Sequence, residues 1–273
     1  MRGYMSDLLW YQYALIGLIF IWSGFVRSGL GFGGAVLSLP FLLLVHNDPL
    51  VYLPLISVHL LVFSSLTVYQ NHRKAQRQII DRSNNGQAAP AKELGTVDWG
   101  YLRYAVAVMI VPKLLGVFGL ITLPAKVMSG IIFVIVAGYS ISYILNRPFR
   151  SNSKLLDVLF LMLGGYISGT SLIGAPLIIS VFATHVARHK LRDTLFVLWF
   201  VLVSIKMGAF VLAGVDLQLI HHLWLLPLCT IGHVIGLRFH QRMLQAETKA
   251  FFRWLGSVLL LISILGLWKG LTG

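Results

Sequence analysis

Long apolar segments, separated by short polar stretches, recur along almost the whole chain. Three shorter ones, at 35–46, 155–168 and 174–186, each border a run of small residues. Seven others have the roughly 20 residues that a helix needs to cross a bilayer core of about 30 Å, and they lie at 8–26, 50–69, 101–121, 127–145, 192–213, 217–237 and 251–268. This pattern predicts an all-α, polytopic integral membrane protein.

Two runs of glycine and other small residues predict breaks in helices. The first run, 27–34, holds too many glycines for a stable helix interior, because each costs about 1 kcal/mol relative to alanine. The second run, 169–176, ends at Pro176, and proline favours the first turn of a new helix. We therefore expect a short apolar helix after each break, beginning at Gly34 and at Ala175.

The order of segment, break, short helix and three further segments occurs twice, which predicts a tandem repeat. Residues 1–145 would form the first membrane repeat and residues 146–273 the second. A polar loop at 70–100 interrupts the first repeat, and its composition predicts a disordered connector. Without a gap, the repeats align Gly29 with Gly169, Gly34 with Gly174 and Ala35 with Ala175, and after a shift they align Pro112–Gly116 with Gly232–Gly236.

The positions of the basic residues favour ten passes through the membrane. If all ten segments cross, five loops on one side, including the one that begins at Arg27, carry 16 of the 22 lysines and arginines, and the other side carries three. Such an asymmetry is expected of cytoplasmic loops. Both termini then lie outside and the halves insert in opposite orientations, as in many secondary transporters. A re-entrant hairpin at each break gives the same parity, and an accidental charge pattern in an ordinary helix bundle is the alternative.

Composition excludes several classes of protein. With 57% hydrophobic and 11% charged residues, the chain is neither a soluble enzyme nor a nucleic-acid binder, and its net charge of +13 comes from the loops. A single cysteine, Cys229, excludes an internal disulfide and a cysteine-based metal cluster. Because no carboxylate lies near the middle of an apolar segment, membrane enzymes that depend on metals are disfavoured. We expect a multi-pass cell-membrane protein with no catalytic residue, metal or cofactor.

Basic side chains do lie within the apolar segments. Lys113 falls halfway along its segment and Lys206 somewhat past the middle of its own. A buried cation in a membrane is costly, so each is a candidate for contact with the substrate. For Lys206 the alternative is a side chain that reaches outward to the interface. His59 and His233 are weaker candidates, since a lone histidine in an apolar helix is more often part of the packing.

The glycine breaks supply the other half of a candidate anion site. The free N–H groups and the positive dipole at a helix start attract anions, and in inverted repeats the two starts would meet near the membrane midplane. Close helix packing is the alternative role for glycines such as Gly116, Gly119, Gly165 and Gly169. The full set of predicted substrate-binding residues is Gly31, Gly33, Gly34, His59, Lys113, Ser171, Gly174, Ala175, Lys206 and His233.

Three motifs in the two halves resemble those of the TauE/SafE sulfite exporter family of membrane permeases. The resemblance covers nearly the whole chain, and it implies a permease for a small organosulfur anion such as sulfite, a sulfonate or sulfoacetate, driven by a secondary gradient. The motifs are Gly24-Phe-Val-Arg-Ser-Gly29-Leu-Gly-Phe-Gly-Gly34-Ala-Val-Leu-Ser-Leu-Pro40, Gly165-Tyr-Ile-Ser-Gly169-Thr-Ser-Leu-Ile-Gly174-Ala-Pro-Leu-Ile-Ile and Leu191-Arg-Asp-Thr-Leu-Phe196.

Other functions are compatible with the same residues. A passive anion channel or a lipid-handling membrane protein could use the same basic interior. An intramembrane serine hydrolase built on Ser171 is disfavoured, because the glycine that follows the serine in rhomboid-type sites is missing here. The histidine pairs 185/189 and 221/222 lie at segment ends without a third ligand, so we interpret them as interfacial. The sequence also leaves a homo-oligomer open.

Overall fold

The computed structural model describes residues 8–30, 34–84, 95–147, 149–246 and 249–272, and these ranges contain ten helices and no strand. The prediction of an all-α protein is therefore confirmed. In chain order the helices are α1 (Trp10–Leu30), α2 (Leu39–Val45), α3 (Pro49–Asn84), α4 (Trp99–Thr122), α5 (Ala125–Ile144), α6 (Lys154–Ser171), α7 (Ala175–His185), α8 (Arg188–Leu212), α9 (Leu219–Ala246) and α10 (Lys249–Thr272).

Six of the described helices are long and apolar enough to cross a membrane, which supports a polytopic membrane protein. They account for six of the seven long segments predicted above, and the seventh corresponds to α1. The stretches that meet the length and hydropathy criteria are Pro49–Lys74, Trp99–Thr122, Ala125–Ile144, Arg188–Leu212, Leu219–Phe239 and Phe252–Thr272.

Both helix breaks begin later in the chain than the sequence predicts. Helix α1 continues to Leu30, beyond the expected break point at Arg27, and α6 continues to Ser171, so that only 172–174 separate it from α7. Leu172 ends α6 in the left-handed conformation, with φ of +61°. The glycines of these two helices stay helical because they pack tightly against a neighbouring helix, and that packing outweighs their low helix propensity.

The prediction of a disordered connector at 70–100 is wrong for its first half. Helix α3 continues through the polar part of the chain to Asn84. This segment is rich in glutamine, arginine, lysine and isoleucine, and extending an existing helix needs no new nucleation. Of the rest of the loop, 85–94 lie outside the described residues, and the chain resumes at Gly95 before Asp98 caps α4.

Helices from the two halves pack in reciprocal pairs. Helix α1 lies against α9 and α6 against α4, while α3 packs on α8 and α5 on α10. If the first five helices correspond in order to the last five, the α1–α9 and α6–α4 pairs are equivalent. Two structurally related halves are expected to show such equivalent pairs. The repeat boundary between residues 145 and 146 stays a prediction.

Glycines make the α1–α9 and α4–α6 contacts close. A Cβ atom added at Gly232 would overlap the carbonyl oxygen of Ile21, and one at Gly169 would overlap that of Lys113. Gly116 and Gly165 are similarly enclosed by the backbones of α6 and α4. The packing role is therefore confirmed for these glycines, whereas Gly119 faces only the side chain of Leu123, at 3.9 Å.

Alanine at Gly232 should lower the melting temperature of the purified protein in detergent. The added methyl group must push α1 away from α9, and overpacking of this kind costs about 1 to 3 kcal/mol. Gly208→Ala is the matched control, because a Cβ atom there meets nothing within 4 Å. Equal melting temperatures for the two variants would contradict the close approach of α1 and α9.

Candidate functional site

A partly open cavity of about 40 Å³, lined mostly by buried residues, lies where α1, α3, α6 and α8 meet the two helix breaks. By the same measure a single water needs about 10 to 15 Å³, so the space admits a small polyatomic ion. Most of its lining is apolar, with a few polar groups that converge on it. The polar and aromatic residues of the lining are Ser23, Arg27, Ser64, Ser168, Phe196 and Trp199.

Both breaks contribute to this cavity, as the sequence predicts. Gly34 lines it from the first half and Ala175 from the second. Ala175 is the first residue of α7, so the N-terminal end of that helix borders the cavity. The first half differs from the expectation, because α2 begins only at Leu39 and has seven residues. Pro40 sets that start, and the segment from Gly34 to Ser38 forms turns instead.

Gly34 is enclosed by α1. A Cβ atom added there would lie 3.1 Å from the Cβ atom of Arg27 and 3.2 Å from the carbonyl oxygen of Ser23. Its φ is not among the positive values of the described chain, so close approach, and not backbone conformation, favours a glycine here. The other first-half glycines of the predicted site, Gly31 and Gly33, lie outside the described residues.

Arg27 places a permanent positive charge at the cavity. The sequence assigns this residue to a basic loop, but it lies in α1 and is only 7% exposed. Its guanidinium carbon is 4.5 Å from the centre of the Phe63 ring, and Nη2 donates a hydrogen bond to Sγ of Cys229 at 3.2 Å. Nε has no hydrogen-bond partner in the described part of the chain. A buried guanidinium with such weak partners can still bind an anion strongly.

Lys113 does not line the cavity, but it is hydrogen-bonded to a residue that does. The side chain is fully buried, and its Nζ donates to Oγ of Ser168 at 3.1 Å. Ser168 lines the cavity from α6. The lysine therefore orients a hydroxyl group at the cavity and brings a second basic group close to it.

An equivalent polar pair joins α1 to α9. Oγ of Ser28 is hydrogen-bonded to Nδ1 of His233, whose ring packs against Phe63 with centroids 4.7 Å apart. The repeat alignment that matches Gly29 with Gly169 also matches Ser28 with Ser168. Its second part matches His233 with Lys113, so the two serine pairs occupy corresponding positions.

The remaining predicted residues do not line this cavity. Lys206 is fully buried, which excludes the outward-reaching alternative, and it lies one turn of α8 beyond the lining residue Val203. Its Nζ has no hydrogen-bond partner among the described residues. Oγ of Ser171 donates to the carbonyl oxygen of Ile167 at 2.9 Å. Gly174 caps α7, and a Cβ atom there would overlap the carbonyl oxygen of Gly164.

His59 lies beside the cavity on α3. Its neighbours Ile56 and Leu60 line the cavity, whereas its own ring packs edge-on against Phe20, with centroids 4.9 Å apart. The side chain is 1% exposed, and neither ring nitrogen has a hydrogen-bond partner in the described ranges. The structure thus holds a buried imidazole next to the cavity without a defined polar contact.

Sequence reasoning missed Arg27, Ser168 and Trp199. The repeat alignment carries a signal for Ser168, because it places this residue opposite Ser28, one position before the aligned glycines. Arg27 could have been found from the helical spacing between Gly24 and Ser28, had the helix been extended beyond Val26. Trp199 lies among apolar residues of α8, and nothing in the sequence distinguishes it from membrane-facing aromatics.

Comparisons with known proteins agree with this architecture. No curated protein and no solved structure gives a significant match to the chain. The family model described as sulfite exporter TauE/SafE matches residues 82–267, which is more than half of the chain. This region includes α6, α7 and α8, and with them the second-half side of the cavity. The chain is thus a multi-pass membrane protein that belongs to the sulfite exporter TauE/SafE family of transporters.

Proposed function

We propose that the protein is a secondary transporter of the cell membrane that moves a small organosulfur anion, such as sulfite or a sulfonate, by alternating access. The observation that carries this proposal is Arg27, a buried permanent cation in a small cavity, which forms no ion pair with a carboxylate among the described residues. A bound anion would supply the missing charge and hydrogen-bond acceptors. Such unpaired cations inside a membrane protein are costly and indicate a substrate pathway.

The cavity offers an oxyanion several donors at once. Arg27 would contribute Nε, and the start of α7 at Ala175 would contribute backbone N–H groups and the positive end of its dipole. The hydroxyl groups of Ser64 and Ser168 are further donors in the lining. Because the cavity is small, the site favours an anion with a compact charged head.

The transport cycle would use the two closely packed helix pairs, α1–α9 and α4–α6, as opposed units. In the proposed inverted arrangement, residues from both breaks face one central site, and rocking of one pair against the other would open that site to either side in turn. The cavity has contributions from both halves, namely Gly34 on one side and Ala175 on the other. The glycine contacts of α1 with α9 and of α4 with α6 would keep each pair rigid during the movement.

Exchange of radiolabelled anions in proteoliposomes tests the proposed function. We expect labelled sulfite to exchange with internal sulfite, and unlabelled sulfonates to compete, whereas cations should have no effect. Uptake that follows an electrical potential at a rate proportional to concentration, and that internal sulfite does not accelerate, would support the passive channel instead. A failure to move any anion of a panel of sulfite, sulfate, thiosulfate, methanesulfonate and sulfoacetate would refute the proposal.

Lys113→Gln should slow sulfite exchange about tenfold. The glutamine can still hydrogen-bond Ser168, but the charge near the cavity is lost, and one charge-assisted contact is worth about 1.5 kcal/mol. The measurement is the initial rate of exchange at matched protein density. Lys126→Gln, which lies at the start of α5 outside the cavity, should stay within about twofold of the unmodified protein. Equal rates for both variants would remove Lys113 from the site.

Cysteine labelling tests the proposed topology on a Cys229→Ser background. The distribution of basic loops predicts that the polar end of α3 lies inside the cell and the end of α10 outside. A membrane-impermeant maleimide applied to intact cells should therefore label Thr272→Cys but not Gln76→Cys. Both positions are exposed on the described surface, so both should react after permeabilisation. Labelling of Gln76→Cys in intact cells would contradict the ten-pass arrangement.

A further inference from the structure

His59 and His222 form a buried pair of imidazoles beside the candidate anion site. Their ring centroids are 5.3 Å apart, and both side chains are at least nine-tenths buried. Neither nitrogen of His59 has a hydrogen-bond partner in the described part of the chain, and the same is true of Nδ1 of His222. Together the two buried imidazoles have three nitrogen atoms without a hydrogen-bond partner among the described residues. Such a pair is unusual inside a membrane protein, because each unpartnered polar atom costs free energy.

The pair extends from the cavity toward one end of the helices. His222 lies in the first turn of α9, where Nε2 contacts the carbonyl oxygen of Leu217 at 3.2 Å. The chain just before Leu217 is at the surface, since Asp216 is exposed. At its other end, His59 is next to Leu60, which lines the cavity. A proton could thus pass from the aqueous end of α9 to the wall of the cavity through two ring systems.

The charged groups around the pair are few. From α1, Arg27 interacts electrostatically with His59, and among the described residues of α9 His222 does so too. His221 interacts electrostatically with His222, and Asp216 interacts electrostatically with His221. From α3 itself, Phe63 lies one turn beyond His59, about 6 Å along the axis, and it carries the guanidinium of Arg27 on its ring. A proton on His59 would therefore face one nearby cation and, among the described residues, no facing carboxylate.

We infer that the His59–His222 pair is a proton-binding site that couples proton movement to the transport of the anion. Without an anion, the positive charge of Arg27 opposes protonation of His59. An anion bound at Arg27 offsets that repulsion, so that anion and proton each favour binding of the other. A proton from the water enters at His222 and passes to His59, and once the cavity opens to the other side the proton leaves there together with the anion. No bond other than N–H is made or broken.

This inference rests on the proposed transport of small anions, and two readouts separate the two claims. Exchange of labelled sulfite at equal pH on both sides needs the anion site but no net proton movement. Net accumulation of sulfite under an inward proton gradient, with the membrane potential clamped by potassium and valinomycin, needs coupling as well. One coupled proton supports about tenfold accumulation per pH unit. The ionisation of sulfite is the same for every variant at a given pH, so only differences between variants are compared.

His59→Gln and His222→Gln should keep exchange within about threefold of the unmodified protein but lose at least about five-sixths of the gradient-driven accumulation. His221→Gln is the matched control, because its ring is directed to Trp224, whose Nε1 donates to Nδ1 of His221 at 3.3 Å. This variant should retain both activities.

Accumulation that persists in His59→Gln and His222→Gln overturns the inference. So does a parallel loss of exchange and accumulation in folded His59→Gln, which would make His59 part of the anion site. Absence of exchange by the unmodified protein refutes the proposed function and the coupling together.

Discussion

Replacing Arg27 with glutamine should lower the initial rate of sulfite exchange about a hundredfold. The guanidinium lines the cavity directly, and its loss removes both the permanent charge and the donors that an oxyanion would use. Hydrogen bonds to charged groups are worth up to about 3 kcal/mol, which corresponds to the expected hundredfold effect. The measurement is exchange in proteoliposomes that contain equal amounts of folded protein.

Arg27→Lys separates charge from geometry. The lysine keeps the positive charge but lacks the planar arrangement of donors, so we expect partial activity, intermediate between the unmodified protein and Arg27→Gln. Lys126→Gln serves as the control for loss of a remote positive charge. If Arg27→Gln exchanges sulfite as fast as Lys126→Gln does, the cavity at Arg27 is not the anion site.

Valine at Gly34 should abolish transport. Because an added Cβ atom would already lie 3.1 Å from the Cβ atom of Arg27, the two further methyl groups of valine must displace either the arginine or α1. They would also project from a residue that lines the cavity and so reduce a space of only about 40 Å³. The expected result is sulfite exchange at the level of empty liposomes.

Gly130→Val is the matched control for Gly34→Val. A Cβ atom at Gly130 meets nothing within 4 Å, so this substitution adds the same side chain without crowding. It should leave exchange within about twofold of the unmodified protein. Size-exclusion profiles of both variants show whether the protein is folded. Substantial transport by folded Gly34→Val would mean that the anion passes elsewhere.

Hydropathy predicts the helices of this protein well, because a bilayer requires long apolar helices whatever their partners are. Hydropathy does not predict where a helix ends when contacts with a neighbouring helix determine that end. Helix α1 extends to Leu30 because glycines of α9, Gly232 and Gly236, let the two backbones pack closely. Helix α3 continues to Asn84 as a polar helix, for which hydropathy carries no signal.

The sequence predicts part of the candidate site and misses the residues whose positions depend on how the helices pack. The meeting of Gly34 and Ala175 at one cavity follows from the repeated order of segments. The position of Arg27 does not follow from that order. A charged residue next to a run of glycines is typical of a loop, and only the structure shows that α1 continues past it. The position of His222 at a segment end predicts a side chain at the membrane–water interface, but the side chain is buried against His59. Its burial depends on how α9 packs near α3, which no local pattern encodes.

Tryptophan fluorescence during a sulfite titration of the purified protein tests most directly whether the anion binds in the cavity. Trp199 lines the cavity, whereas Trp254 is 65% exposed. The account predicts a saturable change in emission that is lost in Trp199→Phe, retained in Trp254→Phe, and shifted to at least about tenfold higher sulfite concentration in Arg27→Gln. Trp199→Phe should still exchange sulfite, which shows that the reporter and not the site was removed. A saturable change that survives in Trp199→Phe, with an affinity unaffected by Arg27→Gln, would contradict an anion site between Gly34 and Ala175.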